Sequence, residues 1–303
     1  MSGRVFVGVS GYDYPGWRGS FYPAEMPRSS WLDYARESFD SIELNGTFYS
    51  LKSPAAYERW ARAATDGFVY AVKGSGFITH RLRLKGAGRA LANFYASGVL
   101  ALGRHTGPFL WQLPPRMSFD PSRLEPFLAA LPRDTDEAER LARRHDRRLP
   151  VRGRLRSAAH VAYRHAFEVR DESFCVPSFF ALLRAYGAAF VLSDTGGRFP
   201  SVEERTADFR YVRLHGPREI YASGYTPHEL DLWAERVEGW RGDGQDVYVY
   251  FDNDVGAYAP FDAMELKRRL VGLEDAVAEG GGVPVVDSSA PDDLSLAATG
   301  RTG

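Results

Sequence analysis

Short runs of β-branched and aromatic residues alternate along the chain with longer stretches whose apolar residues recur at helical spacing. This alternation is typical of repeated β–α units around a parallel sheet. The strand-like runs are Arg4–Ser10, Ser41–Thr47, Phe68–Gly74, Pro108–Leu113, Ala166–Asp171, Ala189–Asp194, Phe209–Gly216 and Asp246–Asn253. Helical stretches between them include Trp31–Phe39, Ala55–Ala64, Gly88–Leu102, Arg123–Leu131, Ser178–Tyr186 and His228–Trp240. Eight such units predict a single (β/α)8 TIM-type barrel over about residues 1–275.

Three segments depart from this pattern. Gly196–Pro200 reads as a loop, so we expect the outer helix between the sixth and seventh strands to be short or absent. An insertion over about residues 133–164 holds ten arginines against five acids and contains a helical stretch, Asp136–His145. We expect it to be a solvated decoration on the amino-terminal face, ahead of a nucleic-acid patch. Residues 280–303 are rich in Gly, Ser, Ala and Asp, which predicts a disordered tail.

The charge balance limits the classes of partner. The chain has 38 Lys and Arg residues against 39 Asp and Glu residues, a formal net charge of -1, so no overall field attracts nucleic acid or anionic membranes. Any anion site must therefore be local. No apolar run approaches the roughly 18 residues that span a bilayer, and the one cysteine, Cys175, lies in an apolar run. These features predict a cytoplasmic protein without a membrane partner, and a buried structural thiol.

Strand parity assigns polar side chains to the barrel interior. Alternate side chains of a strand share one face, so each strand carries one inward set. The inward sets we predict are Glu43, Asn45 and Thr47; Val69, Ala71 and Lys73; Leu110 and Gln112; Ala166, Glu168 and Arg170; Phe190, Leu192 and Asp194; Tyr211, Arg213 and His215; and Val249, Phe251 and Asn253.

The charged members of these sets predict a network. Buried charges cost several kcal/mol each unless they are paired or hydrogen-bonded. For a single residue, mutual neutralisation is as good an interpretation as function. The whole set lies at the carboxyl ends of strands, where barrel enzymes build their active sites, and this favours a functional site.

Two loops after strands add candidate residues. The first, Gly11–Pro23, contains Tyr12 and Trp17 among five aromatic residues, and either forms a stacking wall for a sugar or base or packs on itself over the barrel mouth. The segment Ser75–His80 follows the third strand. Its His80 is a ligand contact, a base or a bystander.

The motifs resemble those of the YecE-like family of uncharacterised barrels. The similar runs are Val9–Tyr12 with Trp17 and Phe21–Pro23, Ile42–Tyr49, Val72–Lys73 with Ile78–His80, Leu110–Pro115, His165–Arg170, Tyr211–Gly216 and Tyr248–Asp254. The resemblance covers roughly residues 4–270 in strand order. It implies a TIM-type barrel with no agreed reaction, and its likeness to endonuclease-IV-like barrels is an analogy of fold. Two departures are Tyr12, where the family usually has Trp, and the Arg-rich insertion.

The leading hypothesis is an enzyme, a hydrolase or lyase, that acts on a phosphorylated or otherwise anionic small molecule. Arginine in particular matches phosphate and carboxylate oxygens. The candidate substrate-binding residues are Lys73, Arg170, Arg213, Asn45, Gln112, Asn253, Tyr12 and Trp17. The candidate catalytic residues are Glu43 or Glu168 as base, His215 as acid or oxyanion donor, and Asp194 and His80 as further titratable groups.

Two alternatives stay open. One is a metal-dependent, endonuclease-IV-like phosphodiesterase acting on DNA, although the chain lacks His-x-His and His-Glu-x-x-His spacings. No cofactor and no metal ligands are therefore predicted, with a divalent metal kept for this alternative. The other is a non-catalytic protein that binds nucleic acid or another ligand. Gly74–Gly76 lacks the dinucleotide-binding fingerprint, and Gly8–Gly11 lacks the esterase spacing. The oligomeric state is left open.

Overall fold

Each strand-like run forms one strand of a closed parallel barrel in the computed structural model, which describes residues 2–149 and 154–278. Neighbours in sequence pair with one another, and β1 pairs with β8 to close the cylinder. The strands are β1 Val5–Ser10, β2 Ser41–Leu44, β3 Val69–Lys73, β4 Thr106–Gln112, β5 His165–Glu168, β6 Ala189–Asp194, β7 Phe209–Leu214 and β8 Asp246–Phe251. The predicted (β/α)8 TIM-type barrel is confirmed.

Helices surround the barrel. They are α1 Trp31–Ser38, α2 Gly46–Tyr49, α3 Pro54–Ala63, α4 Gly88–Ala96, α5 Pro121–Ala130, α6 Thr135–Ala142, α7 Pro177–Ala185, α8 Pro227–Gly242 and α9 Tyr258–Ala278. The start of α8 shows how sequence sets a boundary. The Thr226 hydroxyl accepts from the Glu229 N–H, the Glu229 carboxylate accepts from the Thr226 N–H, and Pro227 occupies the first helical position.

Two apolar layers hold the barrel together. The inner layer fills the barrel below its carboxyl end, and Phe6 stacks on Tyr248 there with ring centroids 4.6 Å apart. Its buried members are Phe6, Ala71, Leu110, Ala166, Ala189, Val191, Phe209, Tyr211, Tyr248 and Tyr250. The outer layer lies between strands and helices. Since apolar side chains fill the lower interior, the polar residues are left to the carboxyl-end layer.

The second strand is shorter than predicted. It ends at Leu44, and Asn45 already has helical φ and ψ of -64° and -30°. Thr47 therefore lies in the helical turn α2, where its hydroxyl is 2.6 Å from the carbonyl oxygens of Leu44 and Lys73. The predicted strand to Thr47 is wrong at this end, because the turn offers these carbonyls a side-chain partner.

The predicted helix Gly88–Leu102 is broken at Gly98. This glycine has φ of +144°, and a Cβ there would lie 2.6 Å from the Tyr57 ring and 2.8 Å from the Pro54 backbone. Helix α4 therefore ends before it, and a 3₁₀ helix, Val99–His105, leads into β4. Only glycine allows this conformation and this close approach.

The link between β6 and β7 contains no helix over residues 195–208, as predicted. The long helix α9, which follows β8, was not among the predicted helices. The predicted tail, residues 280–303, lies outside the described residues. Cys175 is only half-buried, so the prediction of a buried thiol is wrong.

The Arg-rich insertion does not stay on the amino-terminal face. Its helix α6 packs along α4, and the Asp146 N–H donates to the Asn93 side chain across 3.0 Å. Arg148 then lines a cavity of about 330 Å³ together with Ser75 and Phe77, which follow β3. The insertion therefore runs up the flank of the barrel to the carboxyl-end rim, because its turn bonds to the side of α4.

Candidate functional site

Arg213, on β7, is the centre of a buried ionic cluster. Its side chain is fully buried, and its Nη1 donates to Glu168 across 2.8 Å. Its Nε and Nη2 donate to the two oxygens of Glu43 across 3.1 and 2.8 Å, and Nη2 also donates to Asp252 across 2.9 Å and to Ser10 across 2.7 Å. We call these five residues the Arg213 hub. The guanidinium joins side chains from or next to β1, β2, β5, β7 and β8.

Glu43, at the end of β2, has both carboxylate oxygens occupied. The Tyr211 hydroxyl donates to Oε2 across 2.5 Å, and the Ser10 hydroxyl donates to Oε1. Asn45 reinforces this corner by donating to the Ser10 backbone carbonyl across 2.8 Å. The structure thus brings Glu43 and Asn45 together with Arg213, as predicted. Since its lone pairs are used, Glu43 is poorly placed to act as a base.

Glu168 and Asp252 flank His215. The imidazole Nδ1 lies 3.0 Å from Asp252 Oδ2, and Nε2 lies 3.3 Å from Glu168 Oε1. Arg170 donates to the same Glu168 Oε1 across 3.3 Å. The two carboxylates therefore lie on opposite sides of the imidazole ring. His215 is fully buried, so it reaches a ligand only through these neighbours.

The carboxylates of this cluster are held ionised. Burial opposes the charge on Glu168, but Arg213, Arg170 and His215 outweigh burial and hold the pKa of Glu168 well below its usual range. The pKa of Asp252 is likewise lowered, because Arg213, His215 and Lys73 overcome the effect of burial. Both groups therefore act as fixed negative charges near neutral pH.

Tyr221 covers His215 and was missed by the sequence analysis. It has a left-handed φ of 68°, and its N–H donates to the His215 carbonyl across 2.5 Å. Its ring lies edge-on to the imidazole, with centroids 5.4 Å apart, and its hydroxyl accepts from Arg170 across 3.1 Å. A strained non-glycine residue in the loop after β7 is a signal of a specific local role. Sequence alone gives no such signal.

Lys73 ends β3 at the opening of the barrel. Only 8% of the residue is exposed, and its ammonium has no hydrogen-bond or ion-pair partner among the residues that the structure describes. The nearest aromatic contact is the Phe48 ring, 5.1 Å from Nζ to centroid. Burial, and then Arg213, lower the pKa of Lys73, although Glu43, Asp252 and Glu168 oppose this change. Gln112 lies beside this layer on β4 and is also nearly buried.

Two rim residues have pKa values that are displaced in opposite directions. Burial raises the pKa of Asp254 to about 6, with the nearby Asp252 adding to the effect. Burial, together with Arg170 and Lys73, lowers the pKa of His80. His80 accepts or donates at Nδ1 to the Thr79 hydroxyl across 2.9 Å. We call Lys73, His80, Arg170 and Asp254 the mouth. Asp254 was not among the predicted site residues, although it ends the run Tyr248–Asp254 that resembles the YecE-like family.

Parity was wrong in two strands. In β6 the small residues Ala189 and Val191 face inward, so Asp194 lies outside the hub and accepts instead from the Tyr225 hydroxyl across 3.0 Å. In β8 the tyrosines face inward, so Asp252 enters the hub in place of Asn253. Asn253 is buried on the other side, where it donates to Asp262 across 2.8 Å and supports α9. Neither Asp194 nor Asn253 has the predicted position in the site.

The aromatic first loop packs on itself. Trp17 is 1% exposed, donates through Nε1 to the Asp254 carbonyl across 3.2 Å and contacts Tyr14 and Tyr22. It therefore presents no stacking face, and its predicted role in ligand binding is wrong. Tyr12 is partly exposed and lines a cavity of about 370 Å³ with Glu43, Asn45 and Trp60. Of the two predicted aromatic contacts, Tyr12 alone keeps an open face.

Residues 2–149 and 154–278 contain no cluster of three His, Cys, Asp or Glu side chains with the geometry of a metal site. The three carboxylates that converge at the strand ends have the Arg213 guanidinium between them. Within the same residues, no helix is long and apolar enough to cross a membrane.

The fold and this cluster define the class of protein: a TIM-type barrel with an ionic hub and a cationic mouth at the carboxyl ends of its strands. The chain belongs to the family described as protein of unknown function DUF72, whose model matches residues 6–282. The resemblance to the YecE-like family is thereby confirmed. The UPF0759 protein YecE of Escherichia coli K12 is 28% identical over 131 residues, which are 42% of this chain and 44% of the E. coli protein.

Solved structures of the same family share the fold. A DUF72 family protein from Thermotoga maritima MSB8 is 24% identical with a TM-score of 0.70, covering 88% of this chain and 99% of that one. A DUF72 family protein from Enterococcus faecalis V583 is 14% identical with a TM-score of 0.64, covering 88% and 95% of the two chains. At these identities the likeness shows the fold alone, and the function depends on the site.

Proposed function

We propose that the chain is an enzyme that binds an anionic small molecule, of the phosphate class, at the mouth. The observation that carries the proposal is the Lys73 ammonium, which is nearly buried and has no acceptor among the described residues. An ammonium that is mostly shielded from water and has no acceptor is destabilised, and an anionic ligand would relieve this destabilisation.

Arg213 does not fill the role first expected of it. All three of its guanidinium nitrogens donate to the hub, and the side chain has no exposed surface. Direct contact with a ligand falls instead to Lys73 and Arg170. Arg170 lies over the Phe199 ring at 4.6 Å, and its side chain retains 10% exposure.

Acid–base chemistry is supplied by the rim. A general base must be unprotonated at the working pH, and both a base and an acid work best when their pKa values lie near that pH. His80, with its lowered pKa, is the base we propose, and Asp254, with a pKa of about 6, is the acid. The ionised Glu168 and Asp252 orient Arg170 and His215 rather than exchange protons.

The metal-dependent phosphodiesterase alternative has less support. Its carboxylates would have to turn toward a divalent ion, whereas Glu43, Glu168 and Asp252 all turn toward Arg213. Two cations of the mouth would repel a metal ion as well.

The test is binding of inorganic phosphate, followed by calorimetry and by the shift in Tm. We expect Lys73→Met to weaken the affinity at least about tenfold, the effect of losing a charge-assisted hydrogen bond of about 1.4 kcal/mol. Lys85→Met, an exposed lysine in the loop after β3, is the matched control and should bind like the wild type. Equal binding by all three proteins, or binding by none, would overturn the proposal.

A further inference from the structure

We propose that Lys73 is a covalent nucleophile that forms a Schiff base with an aldehyde or ketone group of the bound anion. This inference rests on the proposed function for the anionic character of the ligand, and it adds the carbonyl and the covalent step. The argument begins with the surroundings of Nζ.

Among the described residues, no nearby carboxylate holds the proton on the Lys73 amine. A catalytic amine needs a lone pair, which a carboxylate partner would suppress by holding the proton. The three nearby carboxylates are committed elsewhere, since Glu43, Glu168 and Asp252 each accept from Arg213. The Lys73 side chain instead passes the Phe48 ring, and its strand end is fixed because its carbonyl oxygen is bonded by Thr47.

The electrostatic environment also favours loss of a proton from the Lys73 amine. Burial and the neighbouring Arg213 lower the pKa of the Lys73 amine. Desolvation next to another cation is the arrangement that activates lysines in imine-forming enzymes.

The residue type is informative at this position. The chain contains 38 Lys and Arg residues, of which four are lysines: Lys52, Lys73, Lys85 and Lys267. Lys52 bonds to Ser50 at the surface, Lys267 pairs with Asp40, and Lys85 is exposed. Arginine holds phosphate better than lysine does, but it cannot form an imine. A buried lysine in an arginine-rich chain therefore fits a need for an amine.

The step balances with groups at the mouth. The neutral Nζ attacks the carbonyl carbon, and a proton moves from nitrogen to the carbonyl oxygen to give a carbinolamine. His80 contacts the same Phe48 ring as Lys73, and it takes the remaining N–H proton and delivers a proton to the hydroxyl, which releases one water molecule and leaves the imine. Amine and carbonyl compound are thus converted into imine and water, with no oxidant or reductant. Once protonated, the imine withdraws electrons from the adjacent carbon, which suits a lyase or an isomerase.

The experiment traps the imine. The full chain is incubated at pH 7 with glyceraldehyde 3-phosphate or with glyceraldehyde, reduced with sodium borohydride and digested, and mass spectrometry quantifies the adduct on each lysine. We expect Lys73 to carry at least about ten times more adduct than Lys85 at pH 7, because its lowered pKa leaves more of its amine unprotonated. That advantage should shrink toward pH 10, where exposed lysines also lose their protons.

The outcomes separate this inference from the proposed function. Adduct spread over Lys52, Lys85 and Lys267 as heavily as over Lys73 would overturn the covalent role. If phosphate binding depends on Lys73 but no adduct forms there, the anion site stands and the Schiff base falls. If both aldehydes label Lys73 equally, the nucleophile stands and the anionic character of the ligand falls. Lys73→Arg is the charge-matched variant, and we expect it to retain phosphate binding and lose catalysis of any carbonyl substrate.

Discussion

The Arg213 hub and the mouth are adjacent polar regions that differ in whether their charged groups have hydrogen-bond and ion-pair partners. In the hub every carboxylate of Glu43, Glu168 and Asp252 accepts from one guanidinium, and the atoms are nearly inaccessible. In the mouth, Lys73 has no acceptor within residues 2–149 and 154–278, and Asp254 and His80 have displaced pKa values. Charged groups that have partners stabilise the fold, whereas charged groups without partners are available to bind a ligand. Charge and burial alone do not separate these two cases.

The largest expected effect is the loss of the hub's central cation. Arg213→Met leaves three buried carboxylates without their shared donor, so we expect it to lower the free energy of unfolding by about 3–5 kcal/mol. Urea denaturation followed by circular dichroism measures this loss. The matched control on the same strand is Arg210→Met, since Arg210 is half-buried and donates to Gln245 across 3.2 Å. If the two variants were equally stable, Arg213 would not be the structural residue described here.

A second comparison uses two aspartates that lie two positions apart. The pKa of Asp252 is lowered in the folded chain, so its stabilising effect is present above pH 4 and is lost as the pH falls below that value. The pKa of Asp254 is raised to about 6, so its contribution is present below pH 4 and is lost as the pH rises through 6.

The two asparagine variants should therefore show opposite pH profiles. Asp254→Asn should raise the free energy of unfolding by about 1 kcal/mol at pH 8, after allowance for its partial exposure, and should have little effect at pH 4. Asp252→Asn should destabilise the protein at pH 8. Urea titrations at the two pH values measure both. Parallel profiles for the two variants would contradict the assignment of Asp252 to the hub and Asp254 to the mouth.

The smallest expected effect concerns the unsatisfied lysine. Lys73→Met replaces a poorly solvated ammonium by a side chain of similar length, so we expect the unliganded protein to gain about 1 kcal/mol or less. Differential scanning calorimetry without phosphate measures this gain, with Lys85→Met as the neutral control. A clear loss of stability would mean that Lys73 already has a partner and belongs with the hub.

Much of the fold follows from the sequence, because eight consecutive β–α units are typical of a closed (β/α)8 barrel. The site was harder. Glu43, Glu168, Arg213 and Lys73 were placed correctly, since an ionisable residue in an otherwise apolar strand identifies its polar face. Parity failed for β6 and β8, because parallel strands of a barrel are buried on both faces and alternation cannot say which is the interior. There the larger Phe190 and Leu192 pack outward, and Tyr248 and Tyr250 fill the inside.

The sequence analysis could not predict the contacts that loop residues make. Tyr221 enters the site through a left-handed backbone conformation, and no pattern in the sequence marks that conformation. Trp17 belongs to a loop whose aromatic composition fits both a binding wall and a self-packed cover. Composition is the same in both cases, and the burial and ring contacts of Trp17 in the structure distinguish them.

The position of Arg213 also bears on how this barrel could be divided. Its strand lies in the carboxyl-terminal half, β5–β8, whereas Glu43 lies in the amino-terminal half, β1–β4. A fragment that ended after β4 would keep a carboxylate whose counterion is on the other piece, and the complementary fragment would keep Arg213 without its Glu43 acceptor. Each half alone therefore contains a charged side chain that has lost a partner, and the closed barrel supplies that partner. The Arg213–Glu43 ion pair links the two half-barrels. The complete barrel is therefore the smallest unit that can fold without leaving one of these charges unpaired.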